Sequence, residues 1–259
     1  MISVSDKIES AALRDLHEAG QDLAGPIGLQ IFRDGDATIS VAGHAPSSAI
    51  VLNRAILPAD WLADAGKIAG VTDIYAKAKV GRYFVQGSPI DETALAENNL
   101  GKARGWQKFR RGRQSVAGRS TDLSIRQIGP DHGADFGRIV SAAFDVGDIS
   151  APLLARLPGR ANWHIFMSFD GDTPAGAGAL FVKDGIAWTD WGATDPTFRQ
   201  RGSQSALLAA RVQHAINLGC SQIFTCTGEA VAGDPQHSYG NIERMGFEPV
   251  ELRRNFQPV

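Results

Sequence analysis

At 259 residues the chain suits two domains of about 100–150 residues each rather than one core. With 43% hydrophobic and 21% charged residues it has the composition of an ordinary globular protein. A net charge of −2, with no basic run longer than the short Lys108–Arg113 stretch, argues against a surface that tracks nucleic-acid phosphates; those arginines read as a solvated strand end. The two cysteines, Cys220 and Cys226, have neither CxxC spacing nor a histidine cluster beside them, so no metal site and no disulfide framework is expected. A reduced, cytoplasmic setting fits that usage. The N-terminal stretch reads as a charged amphipathic helix without a signal-peptide core, and no apolar run approaches the ~20 residues of a membrane span.

In chain order, residues 28–33 and 37–42 form a hairpin around Asp34-Gly35-Asp36. Ala49 to Leu52 reads as a third strand, Pro58 to Ala69 as a helix and Gly81 to Gln86 as a strand. Thr93 to Ala103 reads as a helix ended by Gly105, followed by a strand from Trp106 to Arg110. The polar, glycine-rich stretch from Gly112 to Thr121 is the expected linker. Then come a short strand at Leu123 to Ile128, a helix from Pro130 to Phe144 with Phe136, Ile139, Val140 and Ala143 on one face, and a short helix at Pro152 to Leu157. Three strands follow, Trp163 to Phe169, Ala177 to Val182 and Ile186 to Thr194, joined by Gly-containing turns into an antiparallel meander. The chain ends with a helix from Ser203 to Leu218 stopped by Gly219, a strand at Ser221 to Cys226, a helix from Pro235 to Met245 and a strand from Phe247 to Phe256. The first half repeats the order of the second more faintly. Ala103-Arg104-Gly105-Trp106 beside Arg244-Met245-Gly246-Phe247 marks a degenerate internal duplication.

The segment richest in chemistry runs from Gly192 to Leu208. A strand ends, a loop holds Arg199, Arg201 and Gly202, and a helix starts at once with Ser203, Gln204 and Ser205. A helix start exposes unpaired N–H groups and the positive end of its dipole, and a tight Arg/Gly turn there makes a cradle for a diphosphate. Gly202 lets the backbone come close; Ser203 and Ser205 offer hydroxyls, and the two arginines add charge.

The stretch from residue 121 to 259 resembles the GNAT superfamily of N-acetyltransferases. The element order agrees, Arg199-Gln200-Arg201-Gly202-Ser203-Gln204 matches an R/Q-x-x-G-x-G/A loop, Pro196 stands three residues before the loop arginine, and Gly246-Phe247 follows the last helix. The resemblance implies an α/β (α+β) fold of two GNAT-like lobes, each a mixed, mostly antiparallel sheet flanked by helices. Residues 1–115 would be the degenerate lobe and 121–259 the acetyltransferase lobe. It also implies acetyl-CoA as co-substrate and direct attack by an amine. Ala193 and Thr194 would meet the pantetheine arm through their backbone, and Arg201 to Ser205 would hold the diphosphate. A longer acyl-CoA and a non-catalytic acetyl-CoA-binding module are the alternatives.

Two positions depart from the pattern. Gln204 stands where the family usually has Gly or Ala, and Ile242 where it often has the tyrosine that protonates the departing thiolate. Tyr239, one turn earlier, is the replacement candidate; Ser238 and Asn241 are polar groups for the channel, with His237 beside it. Asp190, between Trp188 and Trp191, and Glu229, after the fifth strand of that lobe, are candidate bases; burial among indoles disfavours the charged carboxylate at Asp190. Trp163, Trp188 and Trp191 read as core or as an acceptor wall, and His164 and His214 as structural or surface residues. In the first half Asn53-Arg54-Ala55-Ile56-Leu57-Pro58 has no glycine at the helix entrance, so no cofactor cradle is expected there, and Asn53 and Arg54 remain as acceptor contacts. The acceptor is a small-molecule or protein amine, and the assembly a monomer or homodimer.

Overall fold

The computed structural model describes residues 2–116, 118 and 120–259. Ala117 and Arg119, in the expected linker, lie outside the described residues. Two compact units form, but not as two contiguous halves. The first takes residues 1–106, 145–150 and 252–259, the second residues 107–144 and 151–251. A boundary at 115–121 therefore does not describe them, because two long strands each contribute to both units.

The first unit begins with α1 (Val4–Ala19), capped by Ser3, whose hydroxyl accepts from Asp6 N–H. A short α2 (Ala24–Ile27) leads to β1 (Leu29–Asp34) and β2 (Ala37–Ala42), which pair antiparallel from Leu29↔Ala42 to Asp34↔Ala37. The third strand is β3 (Arg54–Ile56), not residues 49–52. Those residues are wound into turns, with Leu52 and Asn53 N–H both donating to Ala49 O. The expected single helix is two, α3 (Ala59–Leu62) and α4 (Ala65–Lys77), because Asp64 breaks off to cap the second. β4 (Phe84–Gly87) pairs parallel with β3. α5 stops at Glu97 (Thr93–Glu97), since Asn99 turns left-handed at φ +56°, and β5 (Leu100–Arg111) starts far earlier than expected. Gly105 thus sits within a strand, and the proposed Gly105/Gly246 correspondence fails. The sheet order in this unit is β1-β2-β3-β4-β11-β5, where β11 (Glu248–Pro258) contributes its last residues.

Ile39, Val41, Leu62, Ile68, Val71, Tyr75 and Val85 fill the core of this unit. Asn53 and Arg54 do not point outward. Asn53 bonds both backbone groups of Ala42, while Arg54 pairs with Glu9 and lies over Trp106. His17 is 5% exposed, with Nε2 2.7 Å from Ser40 Oγ. Ser40 gives its own proton to Leu52 O, so the imidazole Nε2–H is the donor to Ser40.

The second unit contains β6 (Ser124–Ile128), α6 (Gly133–Phe144), α7 (Ala151–Leu154), β7 (Trp163–Asp170), β8 (Thr173–Lys183), β9 (Ile186–Thr194), α8 (Ser203–Asn217), β10 (Gln222–Gly228) and α9 (His237–Arg244). Its sheet runs β11-β5-β10-β9-β8-β7-β6; β6, β7, β8 and β9 pair antiparallel in turn, and β9 pairs parallel with β10. α8 lays Leu208, Ala209, Val212 and Ala215 on Leu180, Ala187 and Ile223, with Ile242 and Met245 of the α9 region closing the cluster. It ends in a Schellman turn, where Gly219 at φ +81° donates to Ile216 O and Cys220 N–H reaches back to Ala215 O. Lys108 and Arg111 are buried rather than solvated. Lys108 is 1% exposed with Nζ over Trp188, and Arg111 bonds Met245 O and lies over Phe247.

Burial pushes His17 down to about 4 from its ordinary value of 6.5. The native imidazole stays neutral while the unfolded one gains a proton. Stability is therefore whole above pH 6.5 and falls as the pH drops toward 4, by about 3 kcal/mol in all. Denaturant unfolding of wild type and His17→Gln between pH 7 and 4 is expected to give a flatter stability profile in the variant. Parallel profiles would remove His17 as the source.

Candidate functional site

β9 and β10 run parallel for three residue pairs, Gln222↔Ile186, Ile223↔Ala187 and Phe224↔Trp188, and the ladder goes no further. Both strands continue, β9 to Thr194 and β10 to Gly228. Two threonines fasten the point of divergence: Thr225 Oγ1 donates to Thr189 O at 3.1 Å, and Thr189 Oγ1 to Phe224 O at 3.5 Å. Beyond that fork the facing backbone edges are left for something other than each other.

The other side of β9 explains its direction. Between Ala179↔Asp190 and Ala177↔Ala193 one residue of β8 faces two of β9, a β-bulge centred on Trp191 and Gly192. Trp191 is left-handed at φ +51°, unusual for a bulky residue, and is buried edge-on against Phe144. Asp190 holds that conformation, its carboxylate accepting from Trp191 N–H at 2.8 Å and Trp188 Nε1 at 3.0 Å. Beneath lies Arg211 of α8, 4% exposed, donating to Asp190 O at 2.9 Å, Ala179 O at 3.2 Å and Leu207 O at 3.1 Å. A Cβ on Gly178 would stand 2.7 Å from the guanidinium carbon, so glycine there makes room for the charge. Burial pushes Arg211 down to about 10 against an opposing pull from Asp190, which leaves it cationic at neutral pH.

α8 begins where β9 ends. Its N-cap is Gly202, left-handed at φ +81°, and no side chain caps the helix. The first helical bond is Ala206 N–H to Gly202 O, so the N–H groups of Ser203, Gln204 and Ser205 have no partner within the helix. They carry the positive end of the helix dipole. Gln204 crosses to β9, its Nε2 2.9 Å from Thr194 Oγ1 and its Oε1 against Gly192.

The side chains expected to hold an anion are placed unevenly. Arg199 is exposed, whereas Arg201 is turned onto Asp122 and Asp170 and holds both carboxyls below the usual carboxylate range. The Ser203 hydroxyl is buried against Ser168 Oγ at 2.8 Å, leaving that residue only its backbone N–H for a ligand. Ser205 Oγ is 3.4 Å from Asn241 Oδ1, which also accepts from Arg244. Ala193 is buried and Thr194 half-buried at the end of β9. Ser238 and His237 are exposed at the start of α9, and Glu229 is half-buried just after β10. Tyr239 packs edge-on against Phe109 with ring centroids 4.8 Å apart, and Ile242 is 7% exposed in the core. Asp190 between Trp188 and Trp191 stands out in the sequence as a candidate base; its bonds to both tryptophans and the place of Arg211 beneath it do not, their one sign being an arginine among the apolar residues of a helix.

The equivalent junction in the first unit is shut. β3 and β4 end together, and Leu57 N–H continues the pairing to Gln86 O. Leu62 occupies the space a side chain on Gly87 would need. The helix that follows β3 is the four-residue α3 behind Pro58, and α4 after it is capped by the Asp64 carboxylate, which accepts from Gly66 and Lys67 N–H at 2.9 and 3.0 Å.

No family model matches the sequence, and no curated protein matches it significantly. Solved structures do match. The chain is similar to a GCN5-related N-acetyltransferase from Kribbella flavida at 13% identity, with 100% of this chain and 96% of that one covered at TM-score 0.64. It is similar to another from Sphaerobacter thermophilus at 14% identity, covering 85% and 79%, TM-score 0.59. A tandem GNAT protein from the clavulanic acid biosynthesis pathway matches at 11% identity, covering 74% and 68%, TM-score 0.53. The chain has the GNAT acetyltransferase fold. No helix among the described residues is long and apolar enough to cross a membrane.

Thr225→Val keeps the shape of the fork but removes the donor to Thr189 O. It is expected to cost about 1 kcal/mol in denaturant unfolding, with Thr225→Ser close to wild type. Equal loss in both variants would mean that the methyl, not the hydroxyl, matters.

Proposed function

We propose that the second unit binds acetyl-CoA and transfers its acetyl group to an amine, on a small molecule or a protein. The observation that carries this reading is the uncapped start of α8 beside a parallel strand pair that parts after three residues. Anion-ready N–H groups next to a backbone-lined fork suit a ligand with a diphosphate at one end and an amide-bearing arm at the other. In the first unit the strand pair stays closed, and the helix at its end, α3, is one turn long. The similar fold of known acetyltransferases agrees with the reading.

Bound there, an acyl-CoA supplies an activated thioester. The chain's part is to hold and polarise. Backbone N–H groups of Ser203, Gln204 and Ser205 take the diphosphate, with Arg199 free to add charge from the exposed side. The edge of β9 at Ala193 and Thr194 orients the arm, and an N–H in the bulge region meets the developing oxyanion. Glu229, just after β10, takes the amine proton through water. Asp190 has its carboxylate committed to Trp188 and Trp191 and serves the reaction by holding the bulge. With Ile242 in the core and Tyr239 packed on Phe109, the departing thiolate takes its proton from solvent. Those same two placements favour a second reading, in which the unit binds acetyl-CoA without turning it over.

Gln204→Glu tests the site without disturbing the fold. The change is isosteric and puts an acid in the first turn of α8, where the dipole favours it. Calorimetric titration with CoA and acetyl-CoA is expected to show binding to wild type and at least about tenfold weaker binding to the variant, a difference of about 1.4 kcal/mol. Absence of binding to wild type would sink the assignment. Binding without thiol release across a panel of amines would select the non-catalytic reading.

A further inference from the structure

The turn that precedes α8 is not self-supporting. Gln200 and Gly202 are both left-handed, at φ +65° and +81°, and Gln200 has a side chain that disfavours that region. No side chain caps the helix that follows. Something outside the turn has to hold it, and the residues just before β6, together with Asp170, do so.

Thr121 Oγ1 donates to Arg201 O at 2.6 Å and itself accepts from Leu123 N–H at 3.1 Å, which fixes the hydroxyl between the two backbones. Asp122 binds the Arg201 guanidinium through Nε, 3.2 and 3.0 Å from its two oxygens, and through Nη2. Asp170, at the end of β7, takes Nη1 at 2.8 Å. Ser120 lies so close that a Cβ on Gly202 would stand 2.7 Å from its carbonyl oxygen. The guanidinium also lies over Phe198. Arg201 is therefore a fastener within the turn, and its backbone is the part left to face a ligand.

We propose that Thr121 and Asp122 are positioning residues for diphosphate binding, acting through Arg201 to set the backbone at Arg201–Gly202. The inference rests on the acyl-CoA reading above. Thr121, which reads in the sequence as the last residue of a linker, and Asp122 just after it are thereby assigned to the site. Asp122 adds a negative charge near the site, which opposes anion binding. Since that charge is matched by the guanidinium it holds, order in the turn outweighs it.

The test measures CoA affinity by calorimetry for wild type, Thr121→Val, Asp122→Ala, Arg201→Ala and the Asp122→Ala/Arg201→Ala double variant, with Thr121→Ser as the conservative control. Thr121→Val and Asp122→Ala are each expected to weaken CoA binding about tenfold, with Thr121→Ser near wild type. Asp122→Ala is expected to add nothing once Arg201 is gone, as residues acting through one contact require. The KM for S-acetylpantetheine, which lacks the diphosphate, is expected not to move. Unchanged or tighter CoA binding in Thr121→Val and Asp122→Ala would overturn the inference while leaving the cofactor reading intact. Equal losses for CoA and S-acetylpantetheine would overturn it as well, by showing a general loss of structure. Failure of wild type to bind CoA would overturn both.

Discussion

The candidate site depends on how β9 is bent. A parallel pair of strands normally continues its ladder, because every buried N–H and C=O left unpaired costs free energy. Here β9 is turned by a bulge whose central residue is a tryptophan in a left-handed conformation. Such a residue persists only where its surroundings over-determine it. Asp190 accepts from its N–H and from the Trp188 indole, Phe144 packs its ring, and Arg211 holds the neighbouring carbonyls from the helix side. A buried guanidinium is costly unless its protons are matched, and here carbonyls on β8 and β9 and within α8 match them. The same residue thus couples the bulge to the helix whose first turn faces the end of β9.

The two units show what the arrangement requires by presenting it once complete and once closed. Both contain a parallel strand pair with a helical segment between the two strands. In the first unit that segment opens with the four-residue α3 behind Pro58, and Leu57 N–H keeps the strands paired past the end of β3. The longer helix, α4, starts only after it, and the Asp64 carboxylate meets its first N–H groups. In the second unit a single helix of 15 residues follows β9, behind a glycine that offers no competing acceptor.

Much of the second unit was legible because its signals are local. β9 was placed to the residue, since Asp184-Gly185 opens it and Asp195-Pro196 closes it. The ends of α8 and α9 were visible as glycines, both of them left-handed in the structure. The first unit was harder. Ala49 to Leu52 is apolar and β-branched enough to look like a strand, yet backbone turns there leave no room for pairing. Residues 98–103 continue a helical composition, but Asn99 reverses the backbone and the chain leaves as a strand. The exchange of strand segments between units was invisible because it is set by tertiary pairing, to which composition is blind.

The site shows the same division between what local pattern carries and what it does not. The glycine and the helix start could be found, because their chemistry belongs to the backbone. The direction of Arg201 could not, because it is decided by carboxylates distant in sequence at Asp122 and Asp170. An arginine beside an anion-binding turn reads as a ligand for the anion; with two carboxylates already in place it becomes part of the turn's support. Ser203 follows the same logic, its hydroxyl drawn inward by Ser168 while its N–H remains at the helix start. What is left unpaired at the start of α8 is mostly main chain, and main-chain groups do not depend on which side chains surround them.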